Sequence, residues 1–399
     1  MSDPHLPPEI CDYIVDLLHD NRDTLGRCCL VSRSWVPRTR KHLFANIKLL
    51  GIHHLERWKR AFPDSSRSPV HYTHTLTIGC PEVVTVADAQ EGGWIPAFSN
   101  VTRLVLGGTR DLCDSAVSLV PFYGFSPVLK SLRVTSKIFP CAQILNLACS
   151  FRFLEDLDLA QHRADVGTVD RDRTVFQPST PPVTVFQPST PPMLTGTLRV
   201  YLSGRMGCVI RRLLDLPGGL HFRKLVLSCC HDDNLRWMRA LVVGCSDTLE
   251  CVDIKCWVTL ALAQKDSWAA SIDLSRATKL KEAVFRPETL HVIWLVLALQ
   301  SITSEQRYLH QISIYVHFFP SFIDDPANLG RIVREDIYRQ WAELDRILVQ
   351  LWESYGIRPK VVYSVERDRE EMMCRRIGSL LPEITERGII ELVDSVELC

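Results

Sequence analysis

The chain has 399 residues, with 46 Lys and Arg balanced by 46 Asp and Glu, for a formal net charge of zero. A hydrophobic content of 46% with 23% charged residues describes a folded chain and excludes a disordered one. The balanced charge argues against a bulk electrostatic role on nucleic acid or an anionic membrane.

The opening MSDPHLPPEI has acids and prolines where a secretory signal would have a basic start and an apolar run. A cytoplasmic or nuclear protein is therefore expected. The stretch LPPEICDYIVDLL (6–18) predicts a first helix over 8–19. At 100° per residue, Glu9, Asp12, Asp16 and His19 cluster on one side. Ile10, Cys11, Ile14, Val15, Leu17 and Leu18 fill the other, with Tyr13 at the edge. This apolar arc spans roughly 200°, about twice the stripe a helix needs to dock on one core. A second helix is predicted over 24–35, with Asp23 as N-cap and Pro37 as its stop. Leu25, Cys28, Cys29 and Trp35 share a face of it, Val31 lies at the margin and Leu30 points elsewhere. A third helix over 38–47 would carry Leu43, Phe44 and Ile47. Three short helices make a core that is marginal alone, yet apolar residues are left over. Residues 1–50 are thus expected to finish their burial on a partner.

Residues 51–399 carry a recurring pattern, apolar-x-x-apolar-x-apolar. It runs from THTLTI (73–78) through VTRLVL, LKSLRV and LEDLDL. It resumes at TGTLRV (195–200) and continues through FRKLVL, LECVDI and LKEAVF to LHQISI (309–314). The central positions are 76, 104, 132, 157, 198, 225, 252, 283 and 312, so the steps are 28, 28, 25, 41, 27, 27, 31 and 29. A step near 28 suits a short strand with a helical return, stacked so that neighbours share a core. An α/β class with parallel strands follows, in the manner of an irregular leucine-rich-repeat solenoid. Helical returns are expected at PCAQILNLACS, with Pro140 opening it, and at DDNLRWMRALVVG, with an Asp cap and Gly244 closing it. GCVIRRLLDLPGG should be another, ended by Pro217, Gly218 and Gly219. Beyond it, one longer helix (331–355), a strand at KVVYSV, a helix near 368–380 and a strand at GIIELV complete the array.

The 41-residue step has a specific cause: TVFQPSTPPV (174–183) is followed at once by TVFQPSTPPM (184–193). Removing one copy restores a step of 31. A Pro-rich segment without apolar periodicity predicts a surface loop. Thr180-Pro181 and Thr190-Pro191 are also candidates for proline-directed phosphorylation.

The 15 cysteines sit mostly among apolar residues and include no C-x-x-C pair, so buried thiols are expected. CCHDD (229–233) makes a poor metal site, because adjacent residues of a strand point to opposite faces. His53, His54, His71 and His74 have no neighbouring Cys. No Walker loop, G-x-G-x-x-G, H-E-x-x-H or G-x-S-x-G is present. No catalytic residue, metal or cofactor is therefore expected. The longest apolar run, HVIWLVLALQSI (291–302), is too short to span a bilayer.

In each repeat, the residue between the last two apolar positions and its i±2 neighbours share the outer strand face. Arg103, Arg133 and Asp158 lie on that face in the first copies, and Arg199, Tyr201, Asp253 and Lys255 in the later ones. The mixed signs suit a protein or peptide partner better than nucleic acid.

LPPEICDYIVDLL followed by TLGRCCLVSRSWVPRTRKHLF resembles an F-box. The matching positions are Leu6, Pro7, Glu9, Ile10, Ile14, Leu18, Leu25, Cys28, Val31, Arg33, Trp35, Leu43 and Phe44, with Ser32 where the family usually has Cys. The downstream repeats and the terminal ERGIIELV are similar to the large F-box family of mushroom-forming fungi. The resemblance implies a substrate-receptor subunit of an SCF-type ubiquitin ligase, itself without catalytic residues. It implies that Leu6, Pro7, Ile10, Ile14, Leu18, Val31 and Trp35 contact the adaptor subunit and, through it, a cullin. The repeats would hold a protein substrate, with neither nucleic acid nor membrane as partner. The alternatives are an F-box scaffold acting outside a ligase, and an enzyme of unrecognised type.

Overall fold

The computed structural model describes residues 7–64, 68–81, 84–90, 93–107, 119–123, 125–135, 141–159, 194–202, 207–216, 218–229, 235–256, 272–287, 292–316, 331–363, 370–389 and 391–394. The fold is α/β with parallel strands, and the chain divides into two compact units, Met1–Met193 and Leu194–Cys399. Leu6, Pro140, Pro217, Cys230, the Asp cap expected before Leu235 and the duplicated segment 174–193 lie outside the described residues.

The first unit opens with three short helices, α1 (Pro8–Leu17), α2 (Arg22–Val31) and α3 (Val36–Leu43). Their bounds correct the sequence reading. Asn21, not Asp23, caps α2, its Oδ1 accepting from the Thr24 N–H at 3.0 Å. Helix α2 stops at Val31, where Ser32 turns extended and its hydroxyl accepts from the Ser34 N–H. Pro37 does not stop α2. It sits in the first turn of α3, where a missing N–H costs nothing. Helix α3 ends at Leu43, and the chain then enters a strand, β1 (Asn46–Leu49). Ile47, expected on the third helix, is a buried strand residue.

Strand β1 begins a parallel ladder with β2 (Thr75–Ile78), β3 (Arg103–Leu106), β4 (Ser131–Val134) and β5 (Asp156–Leu159), each paired to the next. Helix α4 (Ile52–Ala61) connects β1 to β2. A short helix, α5 (Val86–Ala89), with a Thr85–Asp88 capping box, follows β2. Helix α6 (Cys141–Cys149) precedes β5. The second unit continues the same rule through β6 (Thr197–Leu202), β7 (Lys224–Cys229), β8 (Cys251–Cys256), β9 (Glu282–Pro287), β10 (Gln311–Val316), β11 (Arg358–Tyr363) and β12 (Glu391–Asp394). Its described helices are α7 (Gly207–Leu214), α8 (Leu235–Gly244), α9 (Ile293–Gln300), α10 (Arg331–Tyr355), α11 (Glu370–Leu380) and α12 (Pro382–Glu386). All nine strands predicted from the repeat are present, and both strands expected near the C-terminus.

The repeat works because its last two apolar positions share one strand face and the ladder stacks them. Leu76, Leu104, Leu132 and Leu157 are fully buried register partners in the first unit. Leu198, Leu225, Val252, Ala283 and Ile312 do the same in the second. The degenerate first position is informative. Thr73 is fully buried there, and its hydroxyl has no hydrogen-bond partner among the described residues. Thr73→Val keeps the volume and removes a desolvated hydroxyl, so it is expected to stabilise the fold by about 1 kcal/mol, measured as a rise in the urea midpoint at constant m-value.

Helix α9 is apolar on every side, with Trp294, Leu295, Val296, Ala298 and Leu299 buried. Helix α10 covers it and also starts it. Gln340 Oε1 accepts from the Val292 and Ile293 N–H groups at 3.0 and 3.1 Å, serving as a cap supplied from another helix. Asp345 does likewise for α12, accepting from the Glu383 and Ile384 N–H groups at 2.8 and 3.1 Å. The apolar run of α9 is thus a core helix, and no described helix is long and apolar enough to cross a membrane.

Candidate functional site

The first three helices hold together through a small core of Val15, Leu25, Cys28 and Thr39. They are also clasped through Asp16. Its carboxylate accepts from Arg38 Nε at 2.6 Å, from Arg38 Nη2, and from His42 Nε2 at 2.6 Å. The hydrogen bonds from Arg38 and then His42 hold the Asp16 carboxyl well below the usual carboxylate range. Part of the predicted polar face of α1 is therefore used internally, fastening α1 to α3.

That arrangement covers only half of the apolar arc. Val15 is buried, and Cys11, Ile14 and Leu18 are half-buried, while the remaining apolar residues are bare. Ile10 is 46% exposed, Tyr13 62% and Leu17 64%. On α2, Leu30 is 87% exposed and Val31 69%. Among the described residues, these are five of the thirteen large apolar side chains that stand exposed, within 22 consecutive positions. Of the residues implied by the F-box resemblance, Pro7, Ile10 and Val31 are exposed, whereas Ile14, Leu18 and Trp35 are partly covered. Tyr13, Leu17 and Leu30 were not singled out from the sequence. Their signal was the surplus width of the apolar arc and, for Leu30, a large aliphatic pointing off the shared face of α2.

Because Asp16 is held ionised, its contribution to docking α1 is present above the usual carboxylate range and lost as pH falls through and below it. The pair is about one-third exposed, so the contribution is modest. Wild type is expected to lose stability between about pH 5 and pH 2 more steeply than Asp16→Asn. Urea midpoints across that range test this; parallel curves would show that the clasp contributes nothing.

The outer strand residues divide between the units: Arg103, Arg133 and Asp158 in the first, Arg199, Tyr201, Asp253 and Lys255 in the second. Arg103 and Arg199 are exposed, and Tyr201, Asp253 and Lys255 are half-buried. Several are engaged with one another. Arg133 and Asp158 are register partners, with Nε 3.4 Å from Oδ2. Arg286 donates to both oxygens of Asp253 at 2.9 and 3.2 Å and stacks 3.9 Å over the Tyr315 ring. Burial opposes the Arg286 charge, but the hydrogen bonds and charge of Asp253 outweigh it and raise the pKa. The expected ligand-facing surface is thus, in part, a set of ion pairs that brace neighbouring strands. The described residues contain no group of three or more His, Cys, Asp or Glu that could hold a metal ion.

No family model matches the chain, and no curated protein matches it.

Proposed function

We propose that the chain is a substrate-receptor subunit of an SCF-type ubiquitin ligase. The three N-terminal helices act as an F-box that docks the adaptor, and the parallel repeats behind them are irregular leucine-rich repeats that hold a protein substrate. One observation carries this reading: the exposed apolar side chains Ile10, Tyr13 and Leu17 on one face of α1, with Leu30 and Val31 at the end of α2, on helices that are otherwise folded and clasped. Large apolar side chains left exposed together within a short folded stretch mark an interaction site. The position of these side chains within a stretch that resembles an F-box supports the adaptor as their partner. Ubiquitin transfer would be performed by other subunits.

Co-expression with the adaptor and a cullin tests the reading. Retention of both supports a ligase subunit, and retention of the adaptor alone supports a scaffold. Retention of neither removes the F-box assignment. Clients would be sought by affinity purification with the proteasome inhibited, comparing wild type with a docking-face variant. Point substitutions serve better than removal of residues 1–50, because that cut takes away β1 and bares the edge of β2.

A further inference from the structure

Strand β1 is the first strand of its ladder, and its outer edge carries no neighbouring strand among the described residues. The direction of its backbone groups follows from the bonds at its two ends. The Ala45 carbonyl accepts from the His74 and Thr75 N–H groups at 2.9 and 3.0 Å, and the Leu49 carbonyl from the Gly79 N–H at 2.8 Å. Residues 45 and 49 therefore face β2, and Ile47, two positions from each, does the same. Alternation turns the N–H and C=O groups of Asn46 and Lys48 toward the open edge. The next outward N–H, that of Leu50, is occupied by His54 Nδ1 at 3.2 Å, which closes the edge at that end.

A cleft of about 340 Å³ runs along this edge. Three consecutive residues, Ile47, Lys48 and Leu49, form one side, as expected where the strand backbone itself is the wall. Helix α4 forms the other through His54, Arg57, Trp58, Ala61 and Phe62. The apolar floor is a cluster of three rings: Trp58 lies 4.6 Å from Phe62 and 6.4 Å from Phe44 between centroids. The lining also includes Arg22, Lys48 and Arg57 and, among the described residues, no carboxylate. Arg22 is held in place by donating to the Leu43 carbonyl at 2.8 Å.

An open strand edge beside a helix, with an aromatic floor and cations around it, has the parts used to bind an extended peptide by strand addition. Paired N–H and C=O groups at strand spacing fit a peptide backbone, and Arg22, Lys48 and Arg57, which outnumber the Asp20 carboxylate of the adjoining cleft at Asn46, fit acidic flanking side chains. We propose that the free edge of β1 accepts an extended acidic segment of a partner protein as an added strand, one large apolar side chain of that segment resting on Phe44, Trp58 and Phe62. This site shares no residue with the exposed apolar row of α1 and α2, and it stands independently of the adaptor reading.

The test pans the full chain against a random ten-residue peptide display library and then synthesises the enriched sequences. The expected peptides alternate Trp, Phe or Leu with Asp or Glu. N-methylation of the peptide amides that would face the edge should weaken binding at least tenfold, with the protein itself unaltered. Lys48→Pro removes one outward N–H at an edge position that tolerates proline, and should weaken binding similarly. Arg57→Glu should weaken it at least fivefold while circular dichroism stays unchanged. The proposal is overturned if no peptide is enriched, if the enriched peptides are basic, or if N-methylation has no effect. It is equally overturned if sedimentation shows a dimer that Lys48→Pro dissociates, since a second copy would then occupy the edge.

Discussion

Leu17→Asp combined with Leu30→Asp is expected to reduce adaptor binding at least 100-fold while leaving the fold intact. Both side chains are mostly exposed, at 64% and 87%, so neither supports the three-helix core. Burying each on a partner would contribute about 1.5–3 kcal/mol, and together they correspond to roughly two to four decades of affinity. Aspartate would further place a charge in a desolvated contact. The pair also separates two assignments. Ile14 and Leu18 are half-buried, so their substitution would confound docking with folding. Binding to purified adaptor, measured by calorimetry with the urea midpoint as control, decides the matter. Unchanged affinity with an unchanged midpoint would show that the exposed row is not the docking face.

The ladder was legible because one rule repeats. An apolar pair two residues apart must share a strand face, and recurrence about every 28 residues makes neighbouring pairs stack. Leu76, Leu104, Leu132 and Leu157 are partners for that reason. Strand β1 is not legible in the same way although FANIKL (44–49) carries the same spacing, with Ile47 placed 29 residues before Leu76. Leu43, Phe44 and Ile47 also satisfy helical spacing, and so short a run cannot distinguish the two periods. Pairing with Thr75–Ile78 decides it, and that contact is not local. The cap of α2 shows a similar limit. Asn21 and Asp23 are both good caps, and the turn leaving α1 determines which is used.

The two candidate surfaces were legible to different degrees. The surplus apolar arc of α1 could be counted from the sequence, but which half would be covered depended on α3. Asp16 draws Arg38 and His42 to its own side, and the half bearing Ile10, Tyr13 and Leu17 stays bare. The outer strand residues could be named from alternation, yet alternation carries no information about partners across strands. Arg286 lies 33 residues beyond Asp253, and only the register of β8 against β9 brings them within hydrogen-bonding distance. The aromatic cleft beside β1 was not visible, because it needed β1 to be a strand and α4 to lie against it.

Phe285→Ala is expected to destabilise the second unit by about 3–5 kcal/mol, the cost of removing a buried aromatic ring and leaving a cavity. Phe285 is fully buried at the third apolar position of β9, and its ring centre lies 6.0 Å from that of Trp294, which is 1% exposed. Its register partners Ile254 and Ile314 are buried to the same degree, so the space is enclosed along the ladder as well as beneath it. Helix α9, which carries Trp294, is held by five buried side chains and cannot move in freely. Phe285→Leu retains most of the volume and should cost less than half as much. In a stacked array each strand depends on its neighbours, so the loss should spread outward from the cavity. Amide exchange should therefore accelerate first in β8, β9 and β10, and less in β6. A loss below about 1 kcal/mol by urea denaturation, or a uniform rise in exchange across the unit, would contradict a tightly packed, locally coupled core at this position.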